Sequence, residues 1–199
     1  MLQQFRAMVS IAIAVASHGC DRLGGHDEVG AARAIDSFVP REEALRRFQQ
    51  NLTPVTRLQS PYGRRDSLLA AFIHALSARD TAAIVAMAVT PAEFAYLYYP
   101  TTPQSLPPYD LEPGLMWQLL RQRSERGIRR ALAVYGGQRL ELLSHDCGPG
   151  SSREGRNTIV GPCTLRLRDQ AGQGVSVRLV TQIMERNGRY KVLSYANSR

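Results

Sequence analysis

Residues 174–195 read GVSVRLVTQIMERNGRYKVLSY, two alternating runs joined by Asn187-Gly188. Asn-Gly accepts positive φ at both central positions of a type I′ turn, so the dipeptide predicts a tight hairpin. A two-residue turn sets the register. Arg186 falls opposite Arg189, Glu185 opposite Tyr190, Ile183 opposite Val192 and Val180 opposite Tyr195. Successive side chains alternate between the faces of a sheet, so Val175, Val177, Leu179, Thr181, Ile183, Tyr190 and Val192 share one face. That face is the floor of a core, and the rest of the chain has to cover it.

Two further strands are expected upstream, at 139–147 and 158–169. The turn Gln170-Ala171-Gly172-Gln173 leads from the second into the hairpin. Leu165 and Leu167 alternate with Arg166 and Arg168, as in a strand with one solvated face. Short links between successive strands predict an antiparallel meander. The segments before them have helical spacing. Ala44, Leu45, Phe48 and Leu52 form a stripe over 41–52, with Pro40 ahead of it. Leu68, Leu69, Phe72, Ile73 and Leu76 form another over 67–78, with Asp66 as the expected cap. Asp80 is placed to cap 81–89, and Thr90/Glu93 have capping-box spacing before a further helix. A long helix over 115–135 ends at Gly136-Gly137. Gly127 within it marks a close contact or a bend. Helices followed by strands predict an α+β fold: N-terminal helices packed on a curved antiparallel meander of about four strands.

Of the 25 basic residues only Lys191 is lysine, and the net charge is +8. The arginines are scattered and no recognition motif accompanies them, so no nucleic-acid partner is expected. Residues 115–135 are the exception, with Arg121, Arg123, Arg126, Arg129 and Arg130 on one helix. These read first as a solvated face and second as a surface for anions or membranes.

Arg6 and the apolar run AMVSIAIAVA at 7–16 have the order of a secretion signal. Ala14-Val15-Ala16 fits cleavage after Ala16. Ser17-His18-Gly19-Cys20 instead resembles a bacterial lipobox, in which the cysteine becomes the acylated first residue. The latter divides the chain into a signal peptide (1–19), a flexible tether (20–39) and one α+β domain (40–199). It places the mature protein on the exported side of a bacterial membrane, with a lipid on Cys20. The alternative is a soluble secreted or periplasmic protein. With Cys20 acylated, Cys147 and Cys163 remain to pair in an oxidising compartment. A metal site using those two cysteines with His145 and Asp146 is the other reading, without paired close spacing to support it.

Five prolines occur between Pro100 and Gly114. They exclude a helix interior or central strand and predict either a binding lid or a rigid spacer. The element order over 66–195, with the closing strand GRYKVLSY after an Asn-Gly turn, resembles the nuclear-transport-factor-two-like (SnoaL-like) superfamily. That resemblance implies a cone-like fold with a pocket at its mouth, and a sheet face through which members commonly form homodimers. The aromatic and acidic residues it would gather there are Glu93, Tyr96, Tyr99, Tyr109 and Asp110. No phosphate loop, nucleophile elbow, HExxH or paired CxxC occurs, so neither cofactor nor metal is expected. The expected function is non-catalytic binding of a small apolar ligand or an envelope protein. The alternative is an acid–base lyase or isomerase, with Glu93, Asp110 or Glu141 as the carboxylate beside a tyrosine.

Overall fold

The computed structural model describes residues 39–148 and 150–196. The expected signal segment and Cys20 lie outside the described residues. Among the described residues, five α-helices, with short π- and 3₁₀-helical segments between the fourth and fifth, precede six strands. The helices are α1 (Arg41–Gln49), α2 (Arg65–Ser77), α3 (Thr81–Ala86), α4 (Pro91–Glu93) and α5 (Pro113–Tyr135). The strands are β1 (Glu141–Asp146), β2 (Ser151–Glu154), β3 (Asn157–Val160), β4 (Cys163–Arg168), β5 (Gly174–Arg186) and β6 (Arg189–Tyr195). The fold is α+β, with one open antiparallel sheet.

The hairpin forms where Asn187-Gly188 places it, with φ of 51° and 72° at the two turn residues. All four expected pairs between β5 and β6 are present. One local departure intervenes: Gln182 lies opposite Ser194, with register shifts on either side.

Six strands replace the expected four because one expected strand is broken and another was unforeseen. The expected strand at 158–169 divides into β3 and β4 at Gly161-Pro162. Proline has no N–H for the ladder. Gly161 adopts φ 139°, and a Cβ there would lie 2.0 Å from the Thr181 carbonyl oxygen. β3 and β4 both pair with β5, so the break is a crease within one row of the sheet. β2 pairs with β3 as a second hairpin, where only a loop was expected; Ser151–Glu154 carries no apolar alternation to announce it. The Cys147–Cys163 disulfide lies at this crease, between the end of β1 and the start of β4. The register shifts at 180–183 of β5 face the same region, and such bulges bend the strands that carry them.

The sheet is buried on both faces around β5 and β6, not on one. Ile183 and Val192 join Leu68, Phe72 and Leu76 of α2, with Leu165 and Leu167 of β4, in the larger core. Met184 and Leu193 point the other way. They pack with Ile159, Phe94, Leu97, Tyr99 and Met116 in a second core. Each such side chain contributes on the order of 1.5–3 kcal/mol when fully buried. Val175, Val177, Thr181 and Tyr190 of the expected floor are only partly buried.

α5 crosses the end of β6 at close range. A Cβ on Gly127 would sit 2.5 Å from the Ala196 carbonyl oxygen, so the glycine marks a close contact. The Tyr195 amide donates to Ser124 Oγ at 3.3 Å beside it. The outer edge of β6 is met by the chain after α3. Val89 N–H donates to Val192 O at 3.0 Å, and Val192 N–H donates to Met87 O at 2.9 Å. These bonds end α3 at Ala86, short of the expected Val89.

The capping expectations divide. Asp80 accepts from Ala83 N–H, and the Thr90/Glu93 box is complete. α2 instead begins two residues early, with Arg64 at its N-cap and Asp66 inside the helix. No described helix is long and apolar enough to cross a membrane.

Candidate functional site

The five residues expected at a pocket mouth are not gathered there. Glu93 is fully buried. Its Oε1 accepts from Gln59 N–H at 2.6 Å. Its Oε2 accepts from Thr90 N–H at 2.8 Å and from Lys191 Nζ at 2.8 Å. Those bonds bind the carboxylate to three separate parts of the chain, and neither oxygen is left to face a substrate. Tyr96 is half-buried, with its hydroxyl 3.5 Å from the Leu52 carbonyl. Tyr109 is 65% exposed on its loop.

Tyr99 and Asp110 do meet, on a cavity of about 250 Å³ shared with Arg41, Ser105 and Glu112. Its Tyr99 and Arg41 side chains are already committed. The Tyr99 hydroxyl donates to the Leu111 carbonyl at 2.8 Å, and the Arg41 guanidinium lies 5.4 Å from the centre of its ring. Burial pushes the Tyr99 hydroxyl up from its ordinary pKa, against the opposing pull of Arg41. Arg41 also donates to Pro100 O at 3.0 Å and Ser105 Oγ at 3.1 Å. The proline-rich segment is thereby tied to α1, with Thr102 and Ser105 fully buried. This is the geometry of the rigid-spacer reading. Glu141, the remaining carboxylate considered, pairs with Arg168 at 2.8 Å on the exposed sheet edge.

A more apolar recess lies elsewhere, between α5 and the end of α3 with the segment that follows it. It measures about 340 Å³, within the range of small-ligand sites. Its walls are Val85 and Ala88 on one side and Trp117, Leu120 and Ile128 on the other, with Leu193 of β6 as the floor. The i, i+3 spacing of Trp117 and Leu120 puts both on one face of α5. Phe94 packs against the Trp117 ring, their centres 5.2 Å apart, and fixes that wall from behind. The polar groups at the recess are engaged. Thr90 belongs to the capping box, Ser124 accepts from Tyr195 N–H, and Arg121 lies 3.7 Å from Glu125. Such a site removes an apolar molecule from water and offers few groups to react with it. No signal in the sequence places Val85 opposite Trp117 and Leu120.

Sequence reasoning also missed the pairing of Asp66 with His145. Asp66 Oδ1 lies 2.6 Å from His145 Nε2, joining α2 to β1. That contact, first, and Arg64, second, hold the Asp66 carboxyl below its ordinary pKa. His145 Nδ1 is buried without a partner. A groove of about 310 Å³ beside Asp66 is bordered by Arg65, Thr158, Glu185 and Tyr190. Among the described residues no group of three His, Cys, Asp or Glu side chains is placed to hold a metal ion. Cys147 is bonded to Cys163, which replaces the metal reading of that pair. Comparison with family models, with curated proteins and with solved structures gives no match for this chain.

Proposed function

We propose that the protein is an exported, lipid-anchored bacterial envelope protein whose cone-like domain binds a small apolar ligand without converting it. One observation carries the reading: the recess between Val85, Trp117 and Leu193 has hydrocarbon walls, and its polar groups are already bonded. Export is supported by the signal-like order of Arg6 and residues 7–16, by the lipobox-like 17–20, and by a disulfide between the two remaining cysteines. The shared crease of the strand rows supports the cone-like reading, because a bent sheet wraps one face around its helices.

Trp117 is the only tryptophan in the chain, so its emission reports on this recess alone. The test is titration with N-phenylnaphthylamine, an apolar acceptor of tryptophan energy. Saturable quenching of Trp117 is expected, and Leu120→Arg should abolish it in a variant that circular dichroism shows to be folded. Quenching that never saturates, or that survives Leu120→Arg, would sink the proposal.

The alternative is an acid–base lyase or isomerase, and the Asp66–His145 contact favours it. An aspartate on one ring nitrogen orients an imidazole, whose buried Nδ1 would have to be uncovered for proton transfer. Under that reading, His145→Gln abolishes turnover and leaves ligand quenching of Trp117 unchanged.

A further inference from the structure

α5 presents an unburied stripe along its whole length. Leu115, Leu119, Arg123, Arg126, Arg130 and Val134 recur at helical spacing, and all are exposed. Leu115 is 45%, Leu119 37% and Val134 50% exposed. A helix of this span is about 34 Å long. Arg121 and Arg129 add to the charge, and Glu125 is the only acidic residue between Pro113 and Tyr135.

The end of the stripe opens onto a cavity of about 580 Å³ between α5 and β5. Arg130 and Val134 belong both to the stripe and to its wall, and Arg178 lines it from β5. Ala131, Val177 and Leu179 contribute apolar wall to it. Cationic groups at a rim above hydrocarbon match a phosphodiester headgroup above its first methylenes.

From these features we infer that the outer face of α5 docks on an anionic phospholipid bilayer. The arginines meet the headgroups, and Leu115 and Leu119 enter the boundary between headgroups and acyl chains. Basic helices with exposed leucines bind such surfaces through charge and buried apolar area together. Of these residues only Arg121 also borders the apolar recess, and the variants below leave it in place.

The test is flotation of the full chain with vesicles of phosphatidylcholine, alone or mixed with phosphatidylglycerol. The apolar run at 7–16 contributes alike to both compositions, so the difference between them isolates the arginines. The wild type should prefer the mixed vesicles, and the preference should fall as the Debye length drops from about 10 Å at 0.1 M salt to about 3 Å at 1 M. A basic residue near an anionic surface is worth about fivefold in affinity. Arg123→Gln, Arg126→Gln and Arg129→Gln together should therefore weaken binding to mixed vesicles about 100-fold. Leu115→Ser with Leu119→Ser should weaken it at every salt concentration. Circular dichroism verifies that each variant is folded, as expected for exposed positions. Equal binding to the two compositions, or a triple variant that binds like wild type, would overturn the inference. Tighter binding to duplex DNA than to mixed vesicles would overturn it too, by making the face a nucleic-acid surface.

Discussion

Replacing Lys191 with methionine tests whether the second core is organised around an ion pair. Lys191 and Glu93 have side-chain exposures of 3% and 0%, with 2.8 Å between Nζ and Oε2. Methionine keeps much of the lysine's length and apolar stem, so loss of the ammonium dominates the effect. The carboxylate would remain buried with only the Gln59 and Thr90 amides to hold it. Removing one partner of a buried pair costs about 3–5 kcal/mol. At about 2–4 °C per kcal/mol for a protein of this size, the thermal midpoint should fall by about 6–20 °C. Glu93→Gln should be destabilising as well, because it strands the ammonium. The double variant should lose less than the sum of the singles, by about 0.5–3 kcal/mol, because each change removes what the other leaves unpaired. Urea unfolding, followed by far-ultraviolet circular dichroism and by Trp117 emission, gives all four corners of the cycle. A Lys191→Met variant within about 1 kcal/mol of wild type, or strictly additive effects, would show that water reaches the pair.

The remaining predictions concern other contacts. Gly127→Ala, which ordinarily stabilises a helix interior by about 1 kcal/mol, should instead destabilise by about 1–3 kcal/mol, since the new methyl group meets the Ala196 carbonyl; chemical denaturation gives the sign directly. Cys147→Ser with Cys163→Ser should lower stability by about 3 kcal/mol, and an oxidised wild type no more stable than the double variant would contradict this. Asp66 titrates below its ordinary value, so the stability it gains from His145 is present above the unfolded carboxylate range near about pH 3.9 and is lost as pH falls through the lower folded value. The stability gap between wild type and His145→Ala should therefore close in acid, and an Asp66 carboxyl titrating normally by NMR would refute the contact. Intact mass of the membrane-extracted protein should correspond to a chain beginning at Cys20 with acyl groups, gaining two hydrogens on reduction; a chain beginning at Ser17 would remove the anchor.

The hairpin was legible because its signal is local. Asn187-Gly188 sets both turn dihedrals, and counting outward from it places four pairs correctly. Asp80 and the Thr90/Glu93 box were legible for the same reason, since a cap is a contact across three residues. The break at Gly161-Pro162 also had a local signal, in a proline inside a presumed strand. What could not be read was contact between distant segments. Asp66 satisfies the rule for a cap, yet its side chain reaches β1, 79 residues away. Lys191 stood out in composition as the sole lysine, but its partner lies 98 residues earlier. The pocket residues were chosen by residue type near an expected mouth. The apolar recess depends on how α5 lies beside the chain after α3, which no short-range pattern encodes.

The bonds that residues 87–89 make to Val192 have a consequence for association between molecules. An open sheet has two borders, and either can recruit a strand from another copy and start a growing ribbon. Here the β6 border already spends the donor and acceptor of Val192 within its own chain. The opposite border is made by β1 and β2, where Glu141, Ser144, Ser151, Ser152 and Arg153 are exposed, so a neighbouring strand would have to displace water from charged and hydroxyl groups. With Val192 occupied on one border and charged and hydroxyl groups flanking Leu143 on the other, strand addition by a second copy is disfavoured at these positions among the described residues.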